Sequence, residues 1–322
     1  MTRRAGRRTA VAALVLATAC AANAAPPRAG RFTPRPVQRL TVAAAGNICG
    51  ESGRCAVTAA RVDAIEPDLV LALGDVAYEH ATQTELRNRY GGGTTPASGW
   101  GSPSIRSITL PVYGNHDCSD GEGKVGCAGV VQYFGADSEL GEDLPGTRGS
   151  YAMVRSDWLI VVLNSAGSSG SGMATAQEIA EQDAALEAIL KADRHRCEIV
   201  AWHHPRFSSG VEGSDRDFVA PWFETAYEQG VDVVLTAHHH QYERFAPQDP
   251  AGQAVTNGVR QFVVGTGGVP LEGFTEPRPN SEARSEHYGV LAMELRDDDT
   301  FSWAFVGDEA GGIFDEGSDV CH

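Results

Sequence analysis

A layered α/β domain is the fold class that this chain of 322 residues predicts, and two observations carry it. From Leu40 onward, short β-branched apolar runs alternate with helical patterns, as strands covered by helices do. The 37 glycines and 16 prolines imply many tight turns and long loops and argue against a helical bundle. In chain order, Leu40–Ala45, Leu69–Leu73, Ile108–Val112, Trp158–Leu163, Ile199–Trp202 and Val231–Leu235 read as buried strands bounded by turn residues. Helices are predicted over Ala56–Ile65, Thr82–Tyr90, Thr175–Lys191 and Phe218–Gln229; in the third, Ile179, Leu186 and Leu190 line one face. Gln261–Val264, Gly289–Leu295 and Thr300–Val306 are strand-like with little helix between them, so the far half should be more antiparallel. No repeat or linker divides the chain after residue 40, and one domain over 40–322 is expected.

The first residues follow a different logic. Arg3, Arg4, Arg7 and Arg8 precede the apolar, uncharged Thr9–Ala22 and the small residues Ala22, Asn23 and Ala24. This is the layout of a secretory signal peptide cut after Ala24, with residues 25–39, rich in Pro and Arg, as an extended leader. The alternative is a lipid anchor on Cys20, although Ala17 sits where such a box prefers Leu. Against the roughly 20 apolar residues that a spanning helix needs, the run is marginal, so no stable span is expected after its removal. A secreted, extracytoplasmic location follows. Removing Cys20 leaves Cys49, Cys55, Cys118, Cys127, Cys197 and Cys321, an even set that reads as disulfides in an oxidising compartment. Short Gly-containing loops favour Cys49 with Cys55 and Cys118 with Cys127, which leaves Cys197 with Cys321; six cysteines permit other connectivities. Lys+Arg 26 against Asp+Glu 42 gives a net charge of −16, which argues against a non-specific nucleic-acid or anionic-membrane partner. Loss of the four arginines makes the mature chain more acidic still. Oligomeric state is not legible.

Four predicted strands run into polar residues. Gly74-Asp75-Val76-Ala77-Tyr78 follows the second, Gly114-Asn115-His116-Asp117 the third, His203-His204-Pro205 the fifth and Ala237-His238-His239-His240 the sixth. Ligands collect at the carboxyl ends of strands in open α/β sheets, so these loops are placed to meet. Six of the ten histidines fall directly after these strands. Each loop alone is an ordinary turn; the set is not.

The ordered motifs G-D-x-x-Y, G-N-H-D, H-x-P and H-x-H resemble the calcineurin-like metallophosphoesterase superfamily, and the Tyr three residues after the Asp is similar to its purple acid phosphatase branch. Trp202–Gly210, Tyr242–Pro250, Phe262–Gly268 and the Cys321-His322 ending resemble exported bacterial members of that branch. The resemblance covers roughly residues 40 to 322. It implies a four-layer α/β/β/α sandwich and a phosphomonoesterase with a dinuclear metal centre that uses metal-bound hydroxide on small phosphate esters. By position, it implies that Asp75 bridges two metals. Tyr78 and His240 would bind the first metal, Fe(III), with Asn47 at the first-motif position. Asn115, His203 and His238 would bind the second, a divalent Fe, Zn or Mn. His116 would be general acid or transition-state donor. Two cations suit this chemistry because they polarise the ester and neutralise developing charge.

Three departures from the family pattern carry expectations of their own. Asn47 stands where the family has Asp, which removes a negative charge from the first site and should weaken Fe(III) binding. Ala237 replaces a Gly where the backbone turns tightly. Glu212 occupies a substrate-binding position usually held by His, and its carboxylate would repel a phosphate dianion. A second functional reading is therefore an exported, degraded relative that binds metal or phosphate with little turnover. Of the remaining residues, His204 would contact substrate phosphate or pack, and Arg206 would clamp phosphate or form a salt bridge. His239 should point away from the metals. Gly265–Gly268 would approach phosphate or serve as a turn. Gly91–Gly101 and Ser165–Gly172 are expected to border the site. No G-x-S-x-G elbow supports a Ser-hydrolase.

Overall fold

A computed structural model describes residues 38–95, 97–119, 127–135, 141–192, 195–211, 216–308 and 312–322. The expected signal peptide, Cys20 and most of the leader lie outside the described residues. Gln38 and Arg39 do not belong to a leader. Arg39 opens the first strand, and Gln38 N donates to Asp297 Oδ1 at 2.8 Å.

The chain begins with β1 (Arg39–Ala45), α1 (Cys55–Ile65), β2 (Leu69–Ala72), the short helices α2 (Gln83–Glu85) and α3 (Pro103–Arg106), and β3 (Thr109–Pro111). The three strands are parallel, as crossover connections require. The helix expected over Thr82–Tyr90 is only partly α-helical. Thr82 and Glu85 cap α2 reciprocally, and Leu86–Tyr90 then widens to π geometry. Glu85 also accepts from Glu79 N at 2.6 Å, so this segment is tied to the loop before it. Next come α4 (Asn115–Cys118), α5 (Ala128–Phe134), β4 (Glu142–Asp143), β5 (Tyr151–Arg155) and β6 (Trp158–Val162). They are followed by α6 (Ala176–Ala192), β7 (Cys197–Ala201), α7 (Ala220–Gln229) and β8 (Val233–Thr236). The rest is strand: β9 (Tyr242–Phe245), β10 (Arg260–Val264), β11 (Ser281–Ser285), β12 (Gly289–Arg296), β13 (Thr300–Gly307) and β14 (Ile313–Val320).

Two sheets result. One has the order β14-β13-β12-β1-β2-β3; the other is β11-β9-β10-β8-β7-β6-β5-β4. Period-two alternation sorts the second sheet's side chains. Ile160, Val162, Ile199, Ala201, Leu235, Phe262 and Val264 pack with Val42, Ala44 and Leu71 of the first sheet. Their neighbours Leu159, Val161, Val200, Val234 and Val263 pack on Ile179, Leu186 and Leu190 of α6 and on Trp222 and Phe223 of α7. Ala59 and Val62 of α1 cover the other side of the first sheet. The layers are helix, sheet, sheet, helix, and the far half is antiparallel from β12 to β14 as expected.

Three disulfides form: Cys49–Cys55, Cys118–Cys127 and Cys197–Cys321. The last ties the end of the chain to the first residue of β7. β14 itself has no apolar pattern, and polar contacts hold it instead. Asp315 accepts from Arg244 Nε at 2.8 Å and Tyr242 Oη at 2.6 Å, and Asp319 accepts from Arg260 Nη2 at 2.9 Å.

Candidate metal centre

The carboxyl ends of β1, β2, β3, β7 and β8 converge, and their closeness depends on glycine. A Cβ on Gly46 would lie 2.5 Å from the Ala237 methyl, so the alanine that replaces the usual glycine at 237 fits because position 46 has no side chain. Gly74 has φ +90°, and a Cβ there would lie 2.5 Å from His203 Nδ1. Asn47, Asp75 and His238 also adopt left-handed backbone, at φ 55°, 54° and 64°. Such conformations cost about 1–3 kcal/mol each and persist where the surroundings over-determine them.

Around Asp75 Oδ2 a set of donors is closed. His203 Nε2 lies 3.3 Å from it, Asn115 Oδ1 lies 3.1 Å from His203 Nε2, and His238 Nδ1 lies 2.9 Å from Asn115 Oδ1. The other nitrogen of His203 is 2.7 Å from Leu73 O, which orients the ring. A tetrahedral ion with bonds of about 2.0–2.1 Å to N and O separates its ligands by about 3.3 Å, so these four residues fit a divalent metal.

On the opposite side of Asp75 the hub is Tyr78. Its Oη lies 3.0 Å from Asp75 Oδ2, 3.3 Å from His240 Nε2 and 2.8 Å from Asn47 Nδ2. His240 is oriented by Pro270 O at 2.9 Å from Nδ1. Asn47 turns its nitrogen inward, also reaching His238 O at 3.3 Å, while its buried Oδ1 has no partner. The donor set suits a second cation through Asp75, Tyr78 and His240. Rotating the Asn47 amide would bring its orphaned oxygen to this set and give it a partner.

Electrostatics follow from this crowding. Burial pushes the Asp75 carboxyl up, yet His203 and the His116 N–H outweigh it and hold the group well below the usual carboxylate range. Burial and Asp75 push the Tyr78 phenol well up. Asp117 is pushed up to about 7 by burial and by the Asp75 charge. It nevertheless accepts from Asp75 N at 2.7 Å, Val76 N at 3.0 Å and Gly114 N at 2.9 Å, so it shapes both ligand loops. Asp117→Asn is expected to destabilise the fold by about 2–4 kcal/mol, because an amide N–H would oppose one set of buried N–H donors. Urea unfolding measures this, and a change under about 0.5 kcal/mol would refute it.

His116 is fixed by Glu79 O at 2.9 Å from Nδ1 and by its ring over Tyr78, centroids 4.3 Å apart. Beside Asn115 and His238 opens a cavity of about 270 Å³, also lined by Ser171, Gly172, Met173, His204 and Arg216. The Ser165–Gly172 loop thus borders the site. It is anchored by Glu178 at the start of α6, which accepts from Ser168 N at 2.8 Å. His204 is buried, with Nδ1 2.9 Å from Ser165 Oγ. Arg206 instead pairs with Asp217 at 3.0 Å and lies over the Phe207 ring. Among the described residues lining the cavity, the one Lys or Arg is Arg216, which sequence reasoning passed over because it lies in no strand-end motif. Glu212 lies outside the described residues. His239 is buried against Ser208, away from the donor sets. Gly265–Gly268 is a packing turn: Gly267 N donates to Gly46 O at 2.9 Å, and a Cβ on Gly265 would strike His239 O. Of the Gly91–Gly101 segment, none of the described residues lines the cavity. Its Trp100 donates to Thr58 Oγ1 of α1 at 3.0 Å.

Residues 41–242 match the family model described as calcineurin-like phosphoesterase. Acid phosphatase A of Cryphonectria parasitica is 28% identical over 127 residues, 36% of this chain and 25% of the fungal protein. Purple acid phosphatase PPD1 from yellow lupin (Lupinus luteus) seeds superposes with a TM-score of 0.66 at 17% identity, over 88% of this chain and 54% of that one. GAP50 of Plasmodium, the anchor in the inner membrane complex, gives 0.62 at 13% identity, over 88% and 89%. The chain spans about half the length of the lupin phosphatase and its match about a quarter of the fungal one.

Proposed function

Because this chain belongs to the calcineurin-like phosphoesterase family, we propose that it hydrolyses small phosphomonoesters at a dinuclear metal centre, outside the cytoplasm. The observation that carries the reading is the closure of Asp75, Asn115, His203 and His238 around one point, with Tyr78 and His240 on the far side of the same carboxylate. Asp75 would be shared by the two ions. Asn115, His203 and His238 would hold a divalent Fe, Zn or Mn, while Tyr78, His240 and Asn47 would hold the partner, Fe(III). The chemistry such ions would supply there is polarisation of the phosphoryl oxygens and a lowered pKa for the attacking water. His116, fixed through Nδ1, keeps Nε2 for the leaving oxygen as acid or hydrogen-bond donor. His204 lines the substrate cavity with its ring oriented by Ser165. Three disulfides and the signal-like first 24 residues support export.

A second reading, a degraded relative with little turnover, is favoured by one observation: Asn47 presents nitrogen rather than oxygen to the first site. The two are separated by measuring Fe, Zn and Mn in the purified chain and assaying p-nitrophenyl phosphate across pH. Two metals per chain with metal-dependent turnover are expected. Fewer than one metal and no turnover after reconstitution would establish the second reading instead.

A further inference from the structure

Among the described residues lining the cavity of about 270 Å³, Met173 is the one large aliphatic side chain, and it stands 47% exposed. A single exposed apolar side chain is ordinary on a protein surface. What sets Met173 apart is how firmly its backbone is held beside the candidate metal centre. Ala174 N donates to Ser165 O at 2.9 Å and closes the loop at its base. Asn164 Oδ1 accepts from Ala166 N at 3.1 Å and Gly167 N at 3.0 Å where the loop starts. Gly172, at φ +77°, passes so near the second ligand loop that a Cβ there would lie 3.0 Å from the Asn115 Cβ. Ser171 Oγ donates to Met173 O at 2.9 Å. Just beyond, Thr175 and Glu178 cap the start of α6 reciprocally, with Glu178 N donating to Thr175 Oγ1 at 3.2 Å and Thr175 N to Glu178 Oε2 at 2.8 Å. The backbone of Met173 is therefore ordered in advance, while its unbranched side chain keeps its adaptability.

The cavity is two-sided as a result. Asn115, His204, Arg216 and His238 line it with polar groups, and Met173 supplies an apolar wall. A ligand that matches both has an anionic head and an apolar body. Hydroxyls on that body would lose water against the thioether without gaining a partner.

We propose that Met173 is a specificity residue that contacts the organic part of the ester and favours aryl phosphomonoesters over polyhydroxylated ones. The proposal rests on the phosphomonoesterase reading above and names the substrate class within it. A polarizable thioether gains from contact with an aromatic ring beyond the area it covers.

The test uses the full-length chain reconstituted with iron and zinc, unaltered and as Met173→Ala, Met173→Leu and Met173→Gln. Phenylphosphonate and methylphosphonate, whose C–P bonds resist hydrolysis, are titrated by calorimetry; kcat/KM is measured for phenyl phosphate and glycerol phosphate. The unaltered chain should bind phenylphosphonate about fivefold or more tighter than methylphosphonate. Met173→Ala and Met173→Gln should cut that ratio to about two or less and lower kcat/KM for phenyl phosphate about fivefold, with glycerol phosphate changed less than about twofold. Met173→Leu keeps apolar bulk and should hold the ratio within about twofold of the unaltered value. A residue that only propped its loop would weaken both phosphonates together. Equal weakening of the two, an unchanged ratio in Met173→Ala, or a ratio near one in the unaltered chain overturns the proposal alone. The binding arm decides even where turnover is small. An unaltered chain that binds neither phosphonate and hydrolyses neither ester overturns the phosphomonoesterase reading and this proposal together.

Discussion

Asp75→Asn is expected to lower kcat by about 10³-fold or more and to strip metal from both donor sets. The side chain keeps its size and loses its charge at the point the two sets share. Oδ2 stands 3.0 Å from Tyr78 Oη and 3.3 Å from His203 Nε2, and Oδ1 accepts from His116 N at 2.8 Å. An amide there brings N–H groups toward groups that themselves donate. Metal content by mass spectrometry and single-turnover kinetics test this together; a variant retaining both metals would defeat the bridging role. The metal-free protein offers a second readout. Asp75 has a depressed pKa, so its stabilisation is present above the ordinary carboxylate range and is lost as pH falls through the folded value. Burial pulls His203 down, but Asp75 raises it net, so its contribution is present below about 6.5 and fades as pH rises through the folded value. Asp75→Asn should flatten both limbs of the stability profile of chelated protein.

Asn47→Asp should change sign with metal. In metal-free protein a carboxylate replaces an amide that donates to Tyr78 Oη and His238 O, and it comes to share its surroundings with Asp75, so a loss of about 2–3 kcal/mol is expected. With metal present the added charge should tighten the first site and raise turnover by about tenfold or more. Thermal unfolding with and without chelator, beside iron content, reads both limbs. A variant destabilised equally in both states, with no gain in iron, would rule out Asn47 as the weak point of the first site.

What could be read beforehand follows from where signal and position coincide. The ligand loops were legible because each sits directly after a buried apolar run, so Asp75, Asn115, His203 and His238 could be ordered along the chain before any geometry was known. The parallel strands were legible for the same reason. β14 was not, because its Asp315 and Asp319 are held by Arg244 and Arg260 from distant strands, and ion pairs leave no periodicity. Arg216 was missed in favour of Arg206 because nothing local distinguishes the two; only the packing of the chain before α7 sends one to Asp217 and the other to His238.

The Cys197–Cys321 disulfide and the donor sets sit at opposite ends of one strand, β7. Asn47, Asp75 and Asn115 follow strands of one sheet, while His203, His238 and His240 follow strands of the other. β14, just before Cys321, belongs to the first sheet as well. β7 is therefore tied covalently at its start to the end of the chain, and a metal held by the proposed ligands would tie it to the first sheet again at its close. Chelation would undo only the second of these ties. The sulfur link and the core shared by the two sheets stay in place, so the expected effect of metal loss is confined to the strand ends that carry the donors.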